Sequence, residues 1–579
     1  MKRIVFASLL LVCTFTSAQL RTNTWELSGT RIPDYRNKQN LTEVNFITGF
    51  ADTLTVFRQM SFFITNSSIS DSLGNLLFYS NGQWIANRNH DSLENCNEFN
   101  AGYSTDQYYD GRGLGFTQGM IIIPHPDSIF LYDLFYITTE KKFKYHHNLY
   151  TEAMHLSHSV IDMRLDNGLG AVTLKNEYLI EDTLIQGKLS ACKHANGKDW
   201  WIIDHKWNST IFYTWLLTPT GIEGPYSQSI GSIIINDFGP GEAKFSSDGS
   251  QYAIESNYDY FIEHYNFDRC TGQLSNPYKF FNSTYLVNDF VGLSFSPNNE
   301  FLYRCSQLNI IQYDTKVKNF FNYPDTVAIY DGTYAPFPTW FSMTQLALDG
   351  RIYICTWDGD SVLTYIDNPD IMGIACSVVQ HGIILPYLNN ESIPYFPNYD
   401  LSPLGNYVAD AGANDTINKG QTIQLGIPPV AGVKYLWHSD PTLSDTTIAQ
   451  PIASPDTTTT YYLIVTDTST YSSCNVREDT VTVFLDIADA VHIPKPQNHG
   501  TFRVSPNPVS SWLNMIYQSN DDAVFELFDA FGSRKATINL YHYFKNRMLD
   551  ISALPAGIYE WKVIQRGKSI AHGKVAVIR

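Results

Sequence analysis

The chain has 579 residues and a formal net charge of −18, and its longest basic cluster is Lys141-Lys142-Phe143-Lys144. A nucleic-acid footprint needs a basic stripe that displaces counterions, so that class is excluded; the acidity reads as solubility and colloidal repulsion. Hydrophobic residues at 44% suffice for packed cores, and aromatics at 14% favour sheets, where flat rings suit a half-buried pleated surface.

In chain order, the first predicted element is a signal peptide over residues 1–18. Lys2 and Arg3 form a basic start, residues 4–12 an apolar run, and Thr16-Ser17-Ala18 a small-residue cleavage site. Cleavage between Ala18 and Gln19 is expected; the rival is lipid attachment through Cys13, against which Val12 stands where a small residue belongs. No later apolar run approaches the roughly 18 residues of a spanning helix, so an exported chain without a transmembrane segment is expected. Seven cysteines remain after the signal, none in a CxxC pair, so zinc is not indicated. An odd number leaves at least one free thiol or an interchain bond; Cys355 with Cys376 is a candidate bridge.

Residues 22–408 carry a repeat. Turn-then-strand units recur at Gly74, Ser128, Gly197, Gly249, Asn299, Gly350 and Gly405, at intervals of 54, 69, 52, 50, 51 and 55 residues. A period near 50 built from strands and turns predicts a β-propeller of six or seven blades, because one blade cannot bury both faces of its sheet. The Asp/Asn-Gly turns supply the positive φ that tight hairpins need. With seven blades, a strand from the Val44 to Val56 region is expected to complete the last blade. Residues 141–156 are expected to protrude as a polar insertion.

Strands then recur about every ten residues over 409–486, the spacing of a β-sandwich. Trp437 is its expected core aromatic, and residues 459–467 a later strand. The stretch resembles the PKD/Ig-like modules of surface proteins. Related modules often hold two cysteines; here Asn418 stands in the earlier place and Cys474 has no local partner, so that bridge is in doubt. Residues 487–501, with Pro494 and Pro496, read as a linker.

The last segment, 502–579, opens with Val504-Ser505-Pro506-Asn507-Pro508-Val509 and closes with Gly557-Ile558-Tyr559 and Gly573-Lys574-Val575-Ala576-Val577. It resembles the type A C-terminal sorting domain of type IX secretion system cargo, a small β-sandwich. The resemblance implies export across both membranes to the cell surface or medium, with the secretion machinery and its sortase-like peptidase as partners. Pro506, Asn507, Pro508, Gly557, Tyr559 and Lys574 carry it. The 22–408 block also resembles propeller-like surface proteins attached to such domains, through residues 68–79, 193–201 and 292–297.

Chemistry-bearing constellations are sparse. His146, His147, His155 and His158 cluster near Glu152, with His194 and His205 later. On a strand, however, His155 and His158 face opposite ways, and no complete ligand motif is present. Asp199, Asp204, Glu242, Asp248, Asp289, Asp349, Asp358 and Asp360 lie near blade turns, where a catalytic pair would have to converge at the propeller mouth. No GxSxG, HExxH or P-loop occurs. Trp200, Trp201, Trp207, Trp215, Trp340 and Trp357 are either sugar platforms or blade core. Asp-Ser/Thr-aliphatic triplets resemble the O-glycosylation signal of bacteria that own this secretion system, with Thr53, Ser72, Ser92, Thr416 and Thr480 as acceptors; ordinary β grammar explains the same pattern.

The sequence therefore reads as an all-β chain: a six- or seven-bladed β-propeller, an Ig/PKD-like β-sandwich and a small C-terminal β-sandwich sorting domain. The expected function is a non-catalytic surface or secreted protein that binds a glycan or protein ligand, without a cofactor, metal or nucleic acid. The alternative is a secreted propeller hydrolase acting on polysaccharide or a lactone.

Overall fold

Six of the seven turn signals fall at one equivalent place in the fold, the hairpin between the first and second strands of a small antiparallel sheet. The computed structural model describes residues 20–27, 37–107, 113–144, 148–235, 241–256, 259, 261–281, 292–357, 359–389, 391–404, 409–438, 440–467, 476–486, 502–505, 507–517, 519, 521–529, 531–542 and 546–578. The expected cleavage site Ala18/Gln19, the linker 487–501, and Gly405, Cys474 and Pro506 lie outside them. No helix among the described residues is long and apolar enough to cross a membrane.

The fold is all-β, and its first part is a seven-bladed propeller. Blade 1 comprises Thr24–Leu27, Gln39–Asn45 and Asp52–Arg58. Blade 2 comprises Ser67–Ser70, Leu76–Ser80 and Ile85–Asn87. The other blades have four strands and begin at Met120–Pro124, Ser190–Lys193, Ala243–Phe245, Gly292–Phe295 and Phe341–Leu346. Every seam between neighbours is bonded or packed. Ser68 Oγ donates to Thr24 O (2.9 Å), and Phe78 packs edge-on to Tyr132 (5.5 Å). Leu189 N donates to Gln118 O and Ser190 Oγ to Ala243 O (3.0 Å). Arg304 pairs with Glu255 (2.8 Å), Thr344 Oγ1 donates to Leu293 O (2.6 Å), and Tyr387 N donates to Thr42 Oγ1 (3.2 Å). The last of these joins blade 7 to blade 1 and closes the ring.

Closure differs from the expectation. Val44 and Val56 complete no distant blade; they sit in adjacent strands of one local hairpin, with Leu41 opposite Val56 and Val44 opposite Thr53. Local pairing costs less loop entropy than pairing across the chain, and blade 7 already has its own fourth strand, Val378–Asn389. Of the seventh turn signal, 402–408, only residues 402–404 are described. Leu404 N donates to Ala195 O of blade 4, and Ser402 O accepts from Arg269 of blade 5. Within the expected polar insertion at 141–156, the described residues 141–144 and 148–156 form the far end of a long strand pair, Leu131–Lys144 with Asn148–Asp162.

The chain divides into two compact units, residues 1–415 with 422–454 and 459–483, and residues 416–421 with 455–458 and 484–579. In the first unit, after the propeller, Val433–Trp437 pairs with Thr459–Asp467 and buries Trp437, whose indole donates to Ile448 O (3.0 Å). In the second, a sheet of Phe502–Ser505, Trp512–Tyr517 and Asn546–Asp550 accompanies one of Arg534–Leu540, Ala523–Phe528, Gly557–Gln565 and Lys568–Val577. Leu513, Met515, Phe525, Leu527, Val563 and Val575 from both sheets share one core. Cys355 and Cys376 are both free and buried, which overturns the candidate bridge; Cys270 is disulfide-bonded, its partner outside the described residues.

Candidate functional site: an axis filled by the chain itself

Seven innermost strands turn their unpaired edges toward the propeller axis, and a dry channel would leave those N–H and C=O groups without partners. Residues 391–404 answer this need. Ser392 Oγ accepts from Asn66 Nδ2 (2.8 Å), and Tyr395 N donates to Asn66 O (2.9 Å), just before the inner strand of blade 2. Further along, Tyr395 lies under Lys244 of blade 5, with Nζ 4.7 Å from the ring centre. Tyr399 Oη donates to Ile122 O of blade 3 (2.7 Å), and its carbonyl accepts from Lys193 of blade 4 (2.7 Å). Pro403 finally packs on Gly197, in the turn after the blade 4 inner strand. Contacts thus move from the starts of the inner strands to their hairpin ends, so the segment runs the length of the channel. Residues 391–397 are all buried.

Other axial edges are met by side chains. Gln118 exchanges two bonds of 2.7 Å with the backbone of Ala243. One oxygen of Glu242 accepts from Leu293 N (2.9 Å) and Thr344 N (3.1 Å) and lies 2.9 Å from Thr344 Oγ1, and the other faces Lys244 Nζ at 3.1 Å. Lys244 also donates to Thr344 O (2.8 Å) and Gln345 Oε1 (3.2 Å), so three acceptors surround its ammonium. Burial pushes the Lys244 pKa down.

Among the expected carboxylates, Glu242 alone is seen bonded to the inner strands of blades 6 and 7 across the axis. Asp199 and Asp248 organise turns, through Asn196 Nδ2 (2.7 Å) and Ser250 N (2.9 Å). Asp349 binds Tyr353 Oη (2.7 Å) and Arg351, while Asp360 accepts from Phe337 N (2.8 Å). Asp204 accepts from His205 N (2.7 Å). Asp289 and Asp358 lie outside the described residues, as do His146 and His147. His155 and His158 do diverge. His155 stacks on Tyr178 (4.0 Å), and His158 bonds Asp133 (2.8 Å), which also holds His125 (2.8 Å). Among the described residues no three potential ligands come together for a metal. Trp200, Trp201 and Trp215 are buried core, whereas Trp207, Trp340 and Trp357 are half-buried.

The tail residues do converge. Asn507 Nδ2 donates to Lys574 O (3.0 Å) and its Oδ1 accepts from Ala576 N (2.9 Å). On the same final strand, Gly557 pairs with Val577 and Tyr559 with Val575, and Tyr559 Oη donates to Pro555 O (2.9 Å). Pro508 is followed by Val509, which bridges to Val577. The Lys574 ammonium faces Glu560 (3.6 Å) in solvent. Among the glycosylation candidates, Ser72, Ser92, Thr416 and Thr480 are exposed and Thr53 is half-buried. The triplets at Asp52, Asp325, Asp360 and Asp415 each begin a strand, as β grammar predicts.

Sequence reasoning missed the axial segment. Its signal is an aromatic run broken by proline, Ile393-Pro394-Tyr395-Phe396-Pro397, apolar enough to bury but unable to join a sheet interior. Glu242 and Lys244 were separable too, since i and i+2 share a strand face.

No family model and no curated protein matches the chain. Solved structures similar to it include a putative 6-phosphogluconolactonase from Bacteroides fragilis, 11% identical over 64% of this chain and 96% of that one, at a TM-score of 0.34. A periplasmic gluconolactonase from Pseudomonas aeruginosa is 9% identical over 63% and 97%, at 0.34. The β-propeller domain of Cps50 (Swd1) from Myceliophteria thermophila is 10% identical over 57% and 96%, at 0.29. The fold assigned above rests on the sheet order and ring closure of this chain, not on these likenesses.

Proposed function

We propose that the protein is an exported display protein whose propeller binds a ligand without transforming it. The observation that carries this reading is the filled axis. The channel where inner-strand groups would converge on a substrate holds residues 391–404, and its one buried carboxylate–ammonium pair is locked onto backbone and onto itself. A general acid or base must reach a substrate proton within hydrogen-bond distance, and Glu242 has its oxygens engaged. The signal segment and the sorting-domain resemblance support export by the type IX route, with delivery to the cell surface or medium.

Two experiments test the reading. Purified protein on glycan and surface-protein arrays is expected to bind without turnover. Hydrolysis of a polysaccharide or lactone, abolished by one carboxylate-to-amide change, would replace it with the hydrolase reading. Deleting 502–579 is expected to trap the chain in the periplasm; normal surface delivery of the deletion would sink the export claim.

A further inference from the structure

At the hairpin-side mouth of the channel the axial segment leaves a cavity of about 170 Å³, walled by Tyr395, Phe396, Asn398 and Tyr399 on one side and by residues of blades 4 to 7 on the other. We propose that this cavity binds one neutral, hydroxyl-rich ring, a single sugar residue, either free or at the end of a glycan. The proposal rests on the binding-protein reading above and names its ligand.

Size comes first. Sites for drug-sized ligands enclose roughly 300–1,000 Å³, so this cavity suits a single ring. Charge comes second. The wall holds the Asp400 carboxylate, whose charge acts on Lys193. The cation in the wall, Lys244, has acceptors at 3.1, 2.8 and 3.2 Å in Glu242, Thr344 O and Gln345, which match the three N–H bonds of an ammonium. It therefore has no hydrogen bond to spare for a carboxylate or phosphate. Chemistry comes third. Phe245 is half-buried in the wall and adds apolar surface to it, while Ser247 and Asn398 stand at the rim. Asn398 spends one amide N–H on Ser247 O (2.7 Å) and its Oδ1 on Asp400 N (3.0 Å), which leaves the second N–H for a ligand hydroxyl. Apolar faces beside neutral donors and acceptors match the two sides of a sugar ring.

Because much of the wall belongs to the axial segment, an occupied cavity must also hold that segment in place, since a ligand that binds only the assembled site stabilises it. The test is titration of the full chain with a panel of neutral hexoses, uronic acids and amino sugars, read by calorimetry and by saturation-transfer NMR. A neutral hexose is expected to bind, with affinity unchanged between 0.05 and 0.5 M salt (order-of-magnitude settings spanning the Debye range). Uronic acids and amino sugars are expected not to. Ser247→Trp, which covers the mouth, and Asn398→Ala are each expected to weaken binding about tenfold or more; both sites are at the rim, and unchanged melting of either variant shows that it folds. Matched oligosaccharides separate the sources: equal binding points to chain ends, and loss of binding to free sugar. The proposal is overturned if no panel member binds the wild type, if only charged sugars bind, or if both variants bind as the wild type does. In that last case array binding by the wild type leaves the binding-protein reading intact, whereas turnover removes it.

Discussion

Glu26 is wholly buried beside two charged neighbours, Glu43 and Arg58. Arg58 Nε lies 2.8 Å from Glu26, and its guanidinium also donates to Met60 O and Leu27 O. One cation facing two carboxylates balances when one carboxylate keeps its proton, so burial and the Glu43 charge hold the Glu26 pKa up at about 8. The folded state then binds a proton that the unfolded chain releases near 4.5. Stability is full below that value and declines as pH rises toward 8, by at most about 1.4 kcal/mol per pH unit. Raising the pH from 6 to 9 is expected to lower the melting temperature of the wild type more than that of Glu26→Gln; parallel slopes would refute the assignment. Buried imidazoles have the opposite sign. His90, His205 and His264 are pushed down to about 4 by burial, so stability is complete above 6.5 and is lost as pH falls through that interval. Urea midpoints measured from pH 7 to 4 should show uptake of up to three protons on unfolding. Glycine shows how far a single letter can be read. Gly197 and Gly350 look alike as turn anchors, and both have positive φ (+76° and +80°). A Cβ at Gly197 would stand 2.5 Å from Pro403, whereas nothing lies within 4 Å at Gly350. Gly350→Ala is expected to cost about 1–2 kcal/mol, the left-handed penalty alone, and Gly197→Ala visibly more in the same denaturant series.

The hairpins were legible because turn chemistry is local: Asp or Asn followed by Gly fixes a tight turn wherever it occurs. Blade 1 was not, because its two paired strands, Gln39–Asn45 and Asp52–Arg58, carry no such anchor and resemble a strand on loan to another blade. Ser402-Pro403-Leu404 had the right letters for a turn, but its contacts with Ala195 of blade 4 and Arg269 of blade 5 are non-local and had no local signature. The axial segment was the least legible element, since its burial depends on seven distant edges that no local pattern announces. It is also the element whose loss should cost most. Tyr395→Ala is expected to destabilise the propeller by about 3–5 kcal/mol, the range for removing a buried aromatic. It should also open residues 391–404 to proteases, with cleavage sites located by mass spectrometry; an unchanged digest would show that the segment is dispensable.

Among the described residues, five buried free thiols and one disulfide-bonded cysteine set a redox pattern. Burial pushes the Cys192 thiol up to about 12 and holds that of Cys305 well above the ordinary thiol value. Because thiolate is the reactive form, Cys192, Cys305, Cys355 and Cys376 are expected to resist alkylation in the native protein at pH 8, as is Cys96 through its burial alone, and all five are expected to label after unfolding. A non-reducing peptide map should find Cys270 in its disulfide. The site residues of the tail were legible because the two ends of the segment carry distinctive letters. That they converge on one strand, Lys568–Val577, which pairs with Gly557 and Tyr559 and whose backbone bonds Asn507, was not, because the Asn507 contacts join residues 67 and 69 positions apart. The axial segment has a mechanical meaning as well. The last strand ends at Asn389 near the starts of the inner strands, whereas the chain leaves at residue 404 beside the hairpin turns. Tension applied to the downstream chain therefore passes through the middle of the ring, as a cord passes through a washer. Withdrawing it requires the seams to spread together, whereas an outer strand can be peeled one bond at a time.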